Sequence, residues 1–260
     1  VTHHHPDHVG LAGWFQKEYN ASLWMTRTAW LMARMLCLDE QKTPPAETLE
    51  FWTRAGMRLD ILEERKKGKP FNFADAVSAL PLGFRRIVDN EEFEIGNRVW
   101  KVRIGNGHAP EHATLWSTSD QIVLAGDQII SSISPNLGVY ATEPDANPVR
   151  EWIDTCHKLS QFASDDHLAL SGHKLPFKGL KFRLQQMVEN HEHALERLIN
   201  FLEKPHTAEE CFSVLFGKSI QNSEYGLALV ESVAHVNYLF LEGTVSRVMD
   251  SSGAFRYQSL

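Results

Sequence analysis

The chain opens VTHHHPDH, which places four histidines and an aspartate within reach of one another. Imidazole nitrogen and carboxylate oxygen form a common donor set for zinc, and one that also suits iron or manganese. His3 and His5 are two residues apart, so an extended turn can aim both rings at one point, while the adjacent Asp7 and His8 can turn toward a second point. His4 then falls between them as a spacer whose ring points away. A remnant polyhistidine tag is the competing reading of histidines at a chain end, but it does not account for Pro6, Asp7 and His8 or for the apolar run that follows.

Three later segments repeat one form, an apolar strand running into a turn that carries a ligand-type residue. RVWKVRIGNGH ends at His108, QIVLAGD at Asp127 and HLALSGH at His173. A glycine stands immediately before each, where it lets the backbone turn sharply. Most isolated histidines are surface residues or supports. Four such sites in series, all at strand ends, point to a metal site and exclude the tag.

On HHHPDH, Gly107–His108, Gly126–Asp127 and Gly172–His173, the chain resembles the metallo-β-lactamase superfamily, whose motif reads HxHxDH–H–D–H. The resemblance implies an α+β fold, the αβ/βα sandwich of that family. It assigns His3, His5 and His108 to one metal, Asp7, His8 and His173 to the other, and Asp127 to a bridge between them. Two divalent ions are implied, zinc foremost, with iron or manganese as alternatives. A pair of ions roughly 3.5–4 Å apart holds a hydroxide at neutral pH and polarises the substrate oxygen; Asp7 would orient that hydroxide.

The donor set also discriminates within the superfamily. Bridging Asp127 argues against antibiotic hydrolysis, because true β-lactamases generally lack it. His5 stands where oxygen- and nitric oxide-reducing members carry an acid. What remains resembles glyoxalase II-like hydrolases, lactonases and the lactamase-β-2-like group, which includes endoribonucleases. The leading expectation is hydrolysis of a thioester, ester or lactone. The alternatives are a phosphodiesterase or endoribonuclease using the same two metals, and a mononuclear iron dioxygenase acting on a sulfur substrate.

Composition bounds these choices. The chain has 260 residues, 43% of them hydrophobic, and a formal net charge of −7. That length holds one large domain and a small one, and the negative balance favours a small-molecule substrate over nucleic acid. Cys37, Cys156 and Cys211 are odd in number and in no paired motif, as in a reducing, cytoplasmic setting. No run of about 18 apolar residues is present, so no membrane span is expected. The family's HxHxDH follows a strand some tens of residues into its first half. Opening strands of the first sheet are therefore expected to precede Val1, the sandwich here being truncated at its N-terminus.

The elements that must position the ligands can be read coarsely. A catalytic domain is expected over 1–177 and a winged-helix-like domain over 178–260. VGLAGWFQKEY reads as a helix packed under the site. Residues 20–38 place Trp24, Leu31, Met35 and Leu38 on one helical face, and 46–67 place Leu49, Trp52, Gly56 and Leu59 on another, with Pro44–Pro45 between. This 20–70 stretch reads as a helical insertion, either a wall for a bulky apolar substrate or extra core and an arm for a homodimer. Paired strands with a turn at Ile95–Gly96–Asn97 are expected over 84–104 and further strands over 113–130, then a loop whose Asn136 and Tyr140 brace it rather than touch substrate, and a helix over 148–163. Beyond residue 178 follow a long amphipathic helix, a capping-box start at TAEE, a helix over 223–240 and a hairpin around Ser251–Gly253. His191 and His193 lie two apart on a helix and are poor partners for one metal. His112 is expected to support the site by hydrogen bonding, and Glu111 to serve the loop.

Overall fold

Pro6 lacks the N–H that a first helical residue leaves unsatisfied, and its ring pre-sets φ, so the metal-loop motif itself starts a helix. In the computed structural model, which describes residues 1–217 and 219–260, this is α1 (Pro6–Val9). Then come α2 (Ala12–Tyr19), β1 (Trp24–Met25), α3 (Arg27–Leu38), α4 (Ala46–Arg54) and α5 (Leu59–Lys67). The strands β2 (Arg85–Arg86), β3 (Glu92–Ile95), β4 (Arg98–Gly105), β5 (His112–Ser117) and β6 (Ile122–Gly126) follow, then α6 (Pro148–Ser160) and β7 (Leu168–Ser171). The chain ends with α7 (Leu180–Phe201), α8 (Phe212–Phe216), α9 (Tyr225–Leu241), β8 (Val245–Met249) and β9 (Phe255–Ser259).

Residues 1–40, 71–135 and 152–187 form one compact unit. Its centre is a five-stranded sheet of order β3-β4-β5-β6-β7, antiparallel except for the parallel pair β6–β7. The β3–β4 hairpin turns at Gly96–Asn97, both left-handed as a two-residue hairpin turn requires. Val102 and Ala113, from adjacent strands, are buried with Ile87 on one face. The connection from β6 to β7 is made through α6, which buries Trp152, Cys156 and Leu159 at helical spacing. Trp152→Ala should lower the unfolding free energy by about 3–5 kcal/mol, measured by urea denaturation, because its side chain is fully buried.

Residues 41–70, 136–151 and 188–260 form the second unit. Its central helix, α9, buries residues on every side, Leu229, Val233, Val236 and Leu239 among them. The capping box is present: the Thr207 hydroxyl accepts from the Glu210 N–H (3.3 Å) and the Glu210 carboxylate accepts from the Thr207 N–H (2.8 Å). It opens a single 3-10 turn before the short α8 rather than one long helix. The hairpin β8–β9 closes around residues 250–254.

Three local expectations differ from the structure. Trp24 lies in β1, paired in parallel with β2, and not on the α3 face. The 46–67 pattern is divided at Gly56, where φ is +77° and the helix cannot continue. α2 buries none of its residues, and Trp14, Phe15 and Tyr19 pack on one another while exposed. Among the described residues no helix is long and apolar enough to cross a membrane. The three cysteines are free thiols, Cys37 half-buried and the others buried.

Candidate metal centre

Each side chain of the site is delivered by a short backbone device. The Thr2 carbonyl accepts from the Ala113 N–H (2.8 Å), which ties the opening residues to β5. His3 and His5 are then presented ahead of α1, which winds immediately after His5, so Asp7 and His8 are turned onto a separate face. His108 stands in the β4–β5 connection, three residues past the end of β4. Because β6 and β7 run parallel, their carboxyl ends lie together, and this brings Asp127 and His173 to one end of the sheet.

The seven side chains converge as two groups, His3, His5 and His108 in one and Asp7, His8, Asp127 and His173 in the other, the donor atoms within each lying within 4.8 Å of one another. In the first group His3 Nε2 is 3.0 Å from His5 Nδ1 and 3.3 Å from His108 Nε2. In the second, His173 Nε2 is 3.0 Å from Asp7 Oδ2 and 3.2 Å from Asp127 Oδ2, and His8 Nε2 is 3.2 Å from Asp127 Oδ1. Asp127 Oδ2 also lies 3.7 Å from His108 Nε2, so this carboxylate stands between the two groups.

The electrostatics suit cations. Burial, and then repulsion from neighbouring imidazoles, holds His3 far below the usual histidine range and His5 down to about 2. These rings are neutral at pH 7, and their lone pairs are available to a metal. Burial opposes ionisation of Asp127, but His8, His108 and His173 outweigh it and keep the carboxyl below its ordinary value. Its Oδ1 is buried and lacks a partner with hydrogen-bond geometry. Converging unprotonated nitrogens beside an under-satisfied carboxylate fit divalent metal. Asp7 and His173 are half-exposed, at 52% and 48%, whereas Asp127 is at 7%. The site is therefore open to solvent on the Asp7–His173 side.

Two glycines make the convergence sterically feasible. Gly126 has φ +50°, and a Cβ there would lie 2.6 Å from His112 Cε1. A Cβ on Gly172 would overlap both Asp127 Oδ1 and His8 Cε1.

His112 belongs to neither metal group. It is fully buried, its ring stacked on His3 with centroids 4.5 Å apart, and its Nε2 accepts from the Asp127 N–H at 3.1 Å. Replacing it with alanine should weaken metal affinity about 10–100-fold, as loss of a supporting partner does; competition titration against a chelator reads the change. Glu111 serves the loop as expected. Its carboxylate accepts from the Thr28 N–H (2.7 Å) at the start of α3, and its carbonyl from the Thr26 hydroxyl (2.8 Å).

His4 is in neither group, although its ring stays buried, 4.6 Å from that of His5, and burial with His108 nearby lowers it to about 4. Asn136 braces its loop by donating to the Leu227 carbonyl (3.2 Å) and to Glu231 (2.6 Å). His191 is buried and His193 exposed, on different sides of α7. Sequence reasoning missed Gln128 and Thr155, which hold the His108 loop through the Asn106 carbonyl (3.2 Å) and N–H (3.0 Å). No motif marks them.

Residues 1–173 match the Metallo-beta-lactamase superfamily, and residues 195–260 match the Metallo-beta-lactamase-like C-terminal domain. The chain is 22% identical over 260 residues to the probable metallo-hydrolase YqjP of Bacillus subtilis (strain 168), covering 98% of this chain and 78% of that protein. Its structure resembles that of a beta-lactamase domain protein from Burkholderia ambifaria, with TM-score 0.90, 30% identity, all of this chain and 74% of the other. It also resembles a metallo-beta-lactamase family protein from Thermus thermophilus, with TM-score 0.80, 26% identity, all of this chain and 78% of the other.

Proposed function

The chain is a hydrolytic metalloenzyme of the metallo-β-lactamase superfamily, and we propose that it cleaves a thioester, ester or lactone at a binuclear site. The observation that carries this reading is the position of Asp127, whose carboxylate faces His8 and His173 on one side and His108 on the other. His3, His5 and His108 would hold one divalent ion and Asp7, His8 and His173 the second, with Asp127 shared and zinc the leading metal. Such a pair supplies a hydroxide at neutral pH and an electrophile for the substrate oxygen.

The chain's own residues set the direction of attack. Asp7, half-exposed and 3.0 Å from His173, is the more solvent-exposed of the two carboxylates and would orient the nucleophile by accepting its hydrogen bond. The buried His3 and His112 exclude water from the opposite side. The separate family matches, and the helices α7–α9 followed by a hairpin, support a catalytic domain over 1–177 and a C-terminal winged-helix-like domain over 178–260. The second compact unit, however, also takes in residues 41–70 and 136–151 and begins its C-terminal part at 188. The net charge of −7 supports a small-molecule substrate, and the free thiols support a reducing, cytoplasmic compartment.

The test is a screen of metal-loaded protein against thioesters, lactones, phosphodiesters and RNA, with metal analysis on the same sample. Two metals per chain and turnover of an acyl substrate, lost on chelation and restored by zinc, are expected. Dominant phosphodiester or RNA cleavage would transfer the site to the nuclease reading. One iron per chain with oxygen uptake would replace both by the dioxygenase.

A further inference from the structure

Asp127 follows β6, and the chain beyond it forms no strand or helix until α6. Gln128, Ile129 and Ile130 are nonetheless buried. Among the described residues, no backbone–backbone hydrogen bond involves positions 129–135. Buried backbone outside a ladder must find its partners among side chains, and two side chains supply them. The Ser171 hydroxyl, at the end of β7, donates to the Ile129 carbonyl (2.7 Å). Arg183, near the start of α7, donates from Nε to the Ile130 carbonyl (2.8 Å) and from Nη2 to the Ile133 carbonyl (2.9 Å).

Arg183 is an expensive anchor. It is 7% exposed, its Nη1 donates to the Gln186 side-chain oxygen (2.5 Å), and among the described residues no carboxylate pairs with it. A buried cation without a counter-charge costs stability that an aliphatic side chain would not. What the guanidinium supplies is a planar fork whose N–H groups reach two carbonyls three residues apart, which the single ammonium of lysine cannot match.

Both anchors stand on the arm that carries His173. Ser171 is two residues before it, and the start of α7 is tied back to β7. Ala169 and Phe177 exchange backbone hydrogen bonds (2.8 and 3.1 Å), and the Gly179 and Phe182 N–H groups donate to the carbonyl (2.9 Å) and carboxylate (3.2 Å) of Asp165. All of these residues belong to the first compact unit. His112 secures the Asp127 N–H, whereas the chain leaving Asp127 depends on Ser171 and Arg183.

The geometry points to Arg183 as a positioning residue of the metal centre. By clamping the Ile130 and Ile133 carbonyls to α7, it holds the Asp127 turn against His173, whose Nε2 is 3.2 Å from Asp127 Oδ2. Arg183 is not itself a candidate ligand, and its role rests on the metal-centre reading given above.

The test uses the full chain and reads metal rather than turnover. Zinc affinity is measured by competition with a chelator, ligand geometry by the visible spectrum of the cobalt(II)-loaded protein, and stability by urea denaturation. Arg183→Met should weaken metal affinity about 10–100-fold, the loss expected when a residue that orients a ligand is removed, and should alter the cobalt spectrum. Arg183→Lys keeps the charge but not the fork, so it should recover little of the loss; it also carries the test should the methionine variant not fold. Leu184→Ala, at a fully buried neighbour on α7, controls for a weakened helix. It should unfold at lower urea while keeping the wild-type spectrum and affinity. Wild-type affinity and spectrum in Arg183→Met, full recovery in Arg183→Lys, or an equal loss in Leu184→Ala would overturn the assignment. A wild-type chain that takes up no metal would instead remove the metal centre on which it rests.

Discussion

Asp127→Ala is expected to abolish hydrolysis and to release metal from both groups at once. The carboxylate is within 3.2 Å of His8 and His173 and within 3.7 Å of His108, which puts it in reach of both groups. Loss of a group that merely supports a ligand weakens metal affinity about 10–100-fold, and loss of a shared ligand should reach at least the upper end of that range. Turnover should fall by at least about 10³-fold, to the background of the assay, since the substituted site loses both its nucleophile and its charge stabilisation. Metal content by mass spectrometry and steady-state rates on the same preparation check the result. Wild-type turnover with two metals bound would refute the bridging role.

Gly172→Ala should be nearly as damaging, although glycine contributes no donor atom. The added methyl has no room: it meets Asp127 Oδ1 and His8 Cε1, both within the second metal group. Gly172 also donates its N–H to the Gly126 carbonyl at 2.9 Å, so the β7 end cannot retreat without breaking the link to the turn that carries Asp127. The displacement must therefore fall on the ligands, and a misplacement of about 1 Å can cost about 10²-fold in rate. The variant should show reduced activity and metal occupancy with a native far-ultraviolet circular dichroism spectrum. Full activity would mean that the ligands adjust freely, and that the site is less closely packed than its geometry indicates.

These two variants also separate what is legible in the chain from what is not. The histidines and aspartates can be picked out because their donor chemistry is a property of residue type, and because a glycine preceding a ligand at a strand end is a local backbone requirement. The helix start after Pro44–Pro45 is legible for the same reason, as are the hairpins at Gly96–Asn97 and Ser251–Gly253. Periodicity misplaces Trp24 because its helical spacing from Leu31 is accidental: a two-residue parallel pairing with β2, some sixty positions away, decides its conformation. The break at Gly56 and the lack of burial on α2 likewise depend on long-range packing that periodicity does not encode.

By itself the sequence determined which imidazole and carboxylate donors are available, their order and the chemistry open to them, because such donors and the turns that expose them are specified residue by residue. Only the tertiary structure decided that Asp127 stands between the two groups, that His112 holds its backbone and that Gln128, Thr155 and Glu111 anchor the His108 loop. Those relations arise where β6 and β7 align in parallel and where β4 turns into β5, and such long-range registers are set by the packing of the whole sheet.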